Sequence, residues 1–211
     1  MKKILIGTHN KGKFKEISYL ISKKYKKISP VALNIKSPKE TGKNFRSNAN
    51  LKANFFSKFV DYPVISDDSG LCIKSLKNMP GIYSSRFASR NGGFTQAMKK
   101  ILKKLYKKKN RSAVFVCSLS FKYPKKKIIN VTGRLNGKIS KKILGKNGFG
   151  YDPIFIPNSY DKTFGQMSKS KKILLDHRFL AFKKLKKKVK NLKICFYEFY
   201  IFLNLELFYL L

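Results

Sequence analysis

With 211 residues, 43% of them hydrophobic, the chain can bury the core of one ordinary domain, which excludes wholesale disorder. Its 48 Lys+Arg against 10 Asp+Glu leave a formal net charge of +38, the balance expected of a polyanion binder. Only six of those cations are Arg, the residue suited to bidentate phosphate and base readout, and no nucleic-acid-binding motif accompanies them; the excess is read as a solvated lysine surface.

The apolar run Ile4-Leu5-Ile6, too short for a signal peptide, predicts a buried strand over residues 3–7. Thr8-His9-Asn10-Lys11-Gly12-Lys13 follows as a polar loop, and Phe14, Ile17, Leu20 and Ile21 then recur at helical spacing. A loop feeding a helix N-terminus offers free N–H groups and a positive dipole end to a phosphate. The spacing is not that of a P-loop, and a charged helix cap without a ligand is the competing reading. A second strand is predicted over 28–35, then a polar loop with Glu40-Thr41-Gly42 and a helix from Phe45 to Phe59 that carries Lys52. Residues 63–66 read as a strand ending at Asp67-Asp68, with Gly70 permitting a tight turn. In so basic a chain two adjacent carboxylates stand out. They suit a magnesium ion or the activation of water, with Glu40 as a metal partner; a plain Asp-Ser-Gly turn is the alternative.

Pro80 to Ser84 reads as a turn, 94–106 as a helix, and 112–122 with 128–134 as an antiparallel pair joined near 123–127. Cys72 and Cys117 lie in apolar runs, and with Cys195 they form no CxxC pair, which points to a reducing cytoplasm and no zinc site. The glycine-rich stretch 145–155 carries Phe149, Gly150, Tyr151 and Asp152, suited to a flat heterocycle by stacking and edge hydrogen bonds, or else an ordinary loop with an aromatic plug. Residues 168–185 predict one helix, with Lys172 in its first half and His177-Arg178 in its middle. A lysine run over 183–193 then gives way to 18 apolar residues, 194–211. Glu198 and Glu206 within them argue against a membrane span, since a mid-membrane carboxylate costs about 2.5–3.5 kcal/mol. The single boundary drawn falls there: a domain over 1–193 and an apolar extension over 194–211, open to readings as a segment packed on a partner subunit, readthrough past the natural end of the domain, or a tether.

Taken together, the blocks from Thr8 to Lys13, Glu40-Thr41-Gly42, Asn48 to Ala53, Ser66 to Leu71, Pro80 to Arg86, Gly148 to Phe155, and Lys172 to Arg178 resemble the inosine triphosphate pyrophosphatase family. The resemblance implies an α/β fold: an elongated, curved mixed sheet flanked by helices, with two lobes and a central cleft. It implies a cytoplasmic homodimer that uses magnesium to hydrolyse ITP, dITP or XTP to the monophosphate and pyrophosphate. On that footing Asp68 is the catalytic proton acceptor, and Glu40 and Asp68 hold the metal. Thr8, His9, Asn10, Lys11, Gly12, Lys13, Lys52 and Ser69 contact substrate, and Phe149, Gly150, Tyr151, Asp152, Lys172, His177 and Arg178 line the nucleotide pocket. Two positions depart from the family pattern. Ser47 stands where an acidic residue is usual, which weakens support for the metal or a lysine. Asp176 stands where Ser is usual and would raise the His177 pKa if the two side chains met. The alternatives are a polyanion-binding protein driven by the lysine surface, and a membrane-tethered form of the enzyme.

Overall fold

In the computed structural model, which describes residues 1–189, the first strand already sets the layers. β1 (Lys2–Gly7) turns Ile4 and Ile6 to one side of the sheet and Leu5 to the other, the period of two of extended backbone. Ile4 and Ile6 pack with Ile17 and Leu20 of α1 (Lys11–Leu20), while Leu5 packs with Phe56 of α2 (Phe45–Phe56). α2 starts where it does because Asn44 and Ser47 form a reciprocal capping box.

The remaining elements are β2 (Tyr25–Ile28), β3 (Val64–Ile73), β4 (Met79–Pro80), α3 (Ser84–Arg90), α4 (Phe94–Lys104), β5 (Ser112–Lys122), β6 (Ile129–Ile139), β7 (Phe155–Pro157), α5 (Lys169–Leu175) and α6 (His177–Val189). The strands form one mixed sheet in the order β2-β1-β3-β5-β6-β7, with β4 on the side of β3. β2, β1 and β3 are parallel; β5, β6 and β7 join antiparallel.

β3 and β5 are long enough to carry two cores. Ile65 and the Cys117, Leu119 and Phe121 end of β5 pack against α1 and α6. Leu71, Ile73 and the Ala113 and Phe115 end of β5 pack with α4, Tyr151, Phe155 and Phe164. Between them lies the polar stretch Ser66 to Gly70, so the α/β fold with two lobes places that stretch at its waist.

Four predicted elements differ most from those observed, while the helices expected over 45–59 and 94–106 end a little sooner, at Phe56 and Lys104. No strand forms over 29–35: β2 lies earlier, at Tyr25–Ile28, and Pro30 then opens a 3₁₀ turn over Val31–Leu33 that closes through Asn34 in the left-handed region. The strand expected over 63–66 continues to Ile73, so Asp67 and Asp68 sit within β3 opposite Leu119 and Ser118 of β5, not at a strand end. Gly70 serves no turn there. A Cβ on it would lie 2.2 Å from the Gly81 carbonyl oxygen and 2.5 Å from Ser84 Oγ, so glycine lets the segment leading into α3 press onto the strand. The second strand of the hairpin runs on past residue 134 to Ile139. Finally, the helix expected over 168–185 is two helices, broken where Asp176 is extended and caps α6. His177 is therefore the first residue of a helix and not its middle.

Candidate active site

Period-two alternation separates the adjacent aspartates of β3. Asp67 turns to the α1 side, where Lys13 Nζ lies 3.2 Å away and Ser69 Oγ donates a hydrogen bond at 2.6 Å. Asp68 turns to the α2 side, where Asn48 Nδ2 donates at 3.0 Å. The same Asn48 accepts the Gly42 N–H at 2.7 Å and so holds the loop that carries Glu40. Lys52, one helical turn after Asn48, reaches Glu40 Oε1 at 2.7 Å. Ser47 plays no part in this group, since both its N–H and its hydroxyl are committed to Asn44.

These surroundings drive the two carboxyls apart. Burial alone would raise Asp67, but Lys13, Lys52 and Arg178, with the Ser69 hydrogen bond, hold it well below the usual carboxylate range. For Asp68 burial prevails, aided by the Glu40 charge, and its pKa lies above the ordinary 3.8 despite Lys13 and Lys52. Asp67 is thus a fixed anion and Asp68 the better proton acceptor, the kind of split that assigns different roles to neighbouring acids. Burial opposes the charge on Lys52, yet Asp67, Glu40 and Asp68 outweigh it and raise its pKa.

Three carboxylates here, on Glu40, Asp67 and Asp68, face two ammonium groups, on Lys13 and Lys52. One negative charge is left over, and one oxygen of Asp67 is buried without a hydrogen-bond partner among the described residues. Among the described residues no three His, Cys, Asp or Glu side chains form a cage for a metal. The all-oxygen pair Glu40 and Asp68 nevertheless fits magnesium, which commonly takes one or two carboxylates and completes its shell with water and phosphate.

The 8–13 loop lies beside this group. Asn10 Oδ1 accepts the Lys13 N–H at 3.0 Å and caps α1, and Thr8 is buried with its hydroxyl accepting the Asn10 N–H at 3.3 Å. Lys11 is exposed. His9 is exposed too, and its Nε2 lies 2.9 Å from the Ile35 carbonyl oxygen, tying the loop to the segment after β2. Gly12 has the tightest role: a Cβ there would stand 2.7 Å from the Phe149 ring, so the loop backbone forms the floor under that aromatic.

Phe149 is half-buried, with Lys172 Nζ 4.7 Å and Arg178 Cζ 5.1 Å from its ring centroid. Asp152 Oδ2 accepts the Phe149 N–H and lies 2.7 Å from Lys172 Nζ, which pins the glycine-rich turn onto α5. Lys172 also pairs with Glu16, and Glu16 Oε2 accepts from Arg178 Nη1 at 2.8 Å. Arg178 Nη2 then reaches Ser69 Oγ at 3.3 Å. Asp152, Lys172, Glu16, Arg178, Ser69, Asp67 and Lys13 therefore form one unbroken chain of polar contacts from the aromatic turn to the paired aspartates.

Two expected pocket residues behave differently. Tyr151 offers no stacking face: it is 3% exposed, its hydroxyl donates to the Ser84 carbonyl at 2.9 Å, and its ring meets Phe94 edge-on at 5.2 Å. His177 is buried and stacked on Phe115 at 4.7 Å. Burial, followed by the charges of Arg178, Lys172 and Lys13, depresses its pKa well below 6.5, so it is neutral; Asp176, turned to its helix cap, does not raise it. Its Nδ1 has no hydrogen-bond partner among the described residues. Sequence reasoning passed over Glu16 and gave Asn48 no role of its own. For Glu16 a signal existed: it is one of the few acidic residues, and it stands four before Leu20 on the apolar side of α1.

A profile of the Ham1 family matches residues 4–188. The chain belongs to the Ham1 family. A dITP/XTP pyrophosphatase of Oceanobacillus iheyensis is 41% identical over 192 residues, spanning 89% of this chain and 98% of the relative. One from Dictyoglomus thermophilum is 39% identical over 189 residues, 87% and 92% of the two chains. The Ham1 protein of Staphylococcus aureus superposes with a TM-score of 0.81 at 36% identity, covering 91% of this chain and 100% of that one. The inosine triphosphate pyrophosphatase resemblance read from the motifs is thereby borne out, as is the α/β fold. Among the described residues no helix is long and apolar enough to cross a membrane; the 194–211 extension lies outside them.

Proposed function

We propose that this Ham1-family chain hydrolyses non-standard purine nucleoside triphosphates (ITP, dITP, XTP, dXTP) to the monophosphate and pyrophosphate. The observation that carries this is the continuous polar chain joining an aromatic turn flanked by cations to a pair of aspartates of unlike basicity. The names of its curated relatives agree with it.

Phe149, with Gly12 behind it, is the stacking face for the base. Lys172 and Arg178 present donors to the oxo group at purine C6, which hypoxanthine and xanthine carry; adenine carries an amino donor there and meets like with like. The triphosphate extends toward Lys13, Lys52 and the N-terminus of α1. Asp68 takes the proton from a water directed at the α-phosphorus, and the anhydride bond to the β-phosphorus breaks as the new P–O bond forms. Asp67 stays ionised throughout and orients Lys13 and Ser69. Magnesium on Glu40 and Asp68 would supply positive charge to the phosphate oxygens and to the leaving pyrophosphate.

We further infer a homodimer working in the cytoplasm, where the nucleotide pool lies. Polyanion binding driven by the surface lysines would use none of the paired carboxylates, buried cations and aromatic ring gathered at this site, and the names of the relatives lend it no support. The test is a product assay over a triphosphate panel with magnesium. Pyrophosphate from ITP, dITP and XTP with little from ATP is expected, and EDTA stops it. Orthophosphate as the first product would refute the assignment.

A further inference from the structure

Asp176 is 1% exposed, yet only one of its oxygens is accounted for. Oδ1 caps α6 by accepting the Phe179 N–H at 2.8 Å. Among the described residues Oδ2 is buried with no hydrogen-bond partner, and the one cation within ion-pair range, Arg178 Nη1, is 4.0 Å away, the outer limit for an ion pair. A buried carboxylate oxygen so placed is costly, and an oxygen that carries a proton is not.

The charges around it agree. From α1 it meets Glu16, from α5 Lys172, and from α6 Arg178 and the neutral His177; Cys117 of β5, a thiol that burial keeps protonated, lies near as well. Glu16 and Asp152 balance Lys172 and Arg178 through direct contacts. An ionised Asp176 would add an unmatched negative charge beside Glu16. A protonated Asp176 adds none and supplies a donor. Burial raises Glu16, but Arg178 and Lys172 bring it below its ordinary value, so Glu16 is ionised and is the acceptor available to a proton on Asp176.

We propose that Asp176 and Glu16 share one proton, and that this proton holds Arg178 and Lys172 in place beside Phe149. Asp176 is thus a positioning residue for base recognition, a role that rests on the reading of Phe149, Lys172 and Arg178 as the base site. Once the proton leaves, two adjacent carboxylates repel, Oδ2 competes for Arg178, and the guanidinium is drawn off Ser69 and the ring. Burial and the Glu16 charge push Asp176 up to about 7, so the proton is held below that pH and lost above it.

The experiment compares the full chain with Asp176→Asn, whose amide keeps the helix cap and donates to Glu16 at every pH. KM for ITP is measured across about two pH units centred on 7, together with infrared difference spectra of the protonated-carboxyl band. A terminal phosphate of the substrate titrates in the same range, so the quantity read is the ratio of wild-type to variant KM. That ratio is expected to climb above the midpoint with a limiting slope of about tenfold per pH unit, one proton being linked to binding, with no matching change in kcat. A carboxyl band titrating with the same midpoint, absent from D176N, completes the expected result. A ratio flat with pH, or a band that D176N retains, overturns the proposal. If D176N does not fold, Asp176→Ser, which also caps and donates without ionising, carries the same expectations. Phe149→Ala with an unchanged KM for ITP would remove the base-site reading and the positioning role with it, whereas the infrared band decides the shared proton independently.

Discussion

At one end of the site Glu40, Asp67 and Asp68 face Lys13 and Lys52; at the other, Glu16 and Asp152 face Lys172 and Arg178. The first group has a carboxylate in excess and is partly open, with the Glu40 side chain 29% exposed. The second is balanced and dry, its charged side chains at most 7% exposed. A group with spare negative charge can admit a cation and a phosphate chain. A group whose charges are matched can only be tuned, by a proton such as that on Asp176, and is suited to reading a neutral base. The two ends touch through a narrow bridge, Ser69 between Asp67 and Arg178.

The largest effect expected is at Asp68. Asp68→Asn should lower kcat by about 10²–10⁴-fold, the range for loss of a general base, with an unchanged circular dichroism spectrum and thermal midpoint. An active variant would mean that the open end does not hold the proton acceptor. Next come the two glutamates, which set the ends against each other. Glu16→Gln removes the partner of two buried cations and should cost about 3–5 kcal/mol in urea unfolding. Glu40→Gln, at a partly exposed pair, should cost about 1 kcal/mol or less while abolishing the magnesium-dependent rate. Equal losses of stability would erase the distinction drawn here.

A smaller effect is expected at the floor of the base site. Gly12→Ala forces its methyl against Phe149 and should cost about 1–3 kcal/mol of strain, read as a raised KM for ITP with kcat little changed. The pH dependence of stability sharpens the comparison further. Asp67 is depressed in the folded state, so the stability it gives is present above its ordinary 3.8 and is lost as pH falls below it. Asp176 is raised, so its contribution runs the other way and is lost as pH rises toward about 7. Asp176→Asn should therefore gain stability relative to wild type above neutral pH, and Asp67→Asn should flatten the acid side of the profile. Melting temperatures across the pH range measure both.

Much of this was legible along the chain. The alternation of strand and helix, the loop before α1, the helix bearing Lys52, the acidic stretch and the aromatic turn were all marked by local pattern: period two or 3.6, caps, and rare acids in a basic background. The order of those blocks was enough for the family. What local pattern could not convey was which partners the fold would supply. Glu16 meets Lys172 and Arg178, 156 and 162 residues further on, and no periodicity links such positions. Phe149 and Tyr151 are chemically alike in sequence, but one rests on Gly12 beside the cations while the other is drawn into the second core and bonded to Ser84. The break at Asp176 was hidden because the residues on both sides favour helix, and only the folded chain shows the backbone extended there and the carboxylate accepting the Phe179 N–H to cap a new helix. Sequence by itself determined the elements and the chemistry available to them, since both depend on neighbours a few residues apart. Tertiary structure decided which carboxyls stay charged, because burial and the cations that oppose it come from elements far apart in the chain.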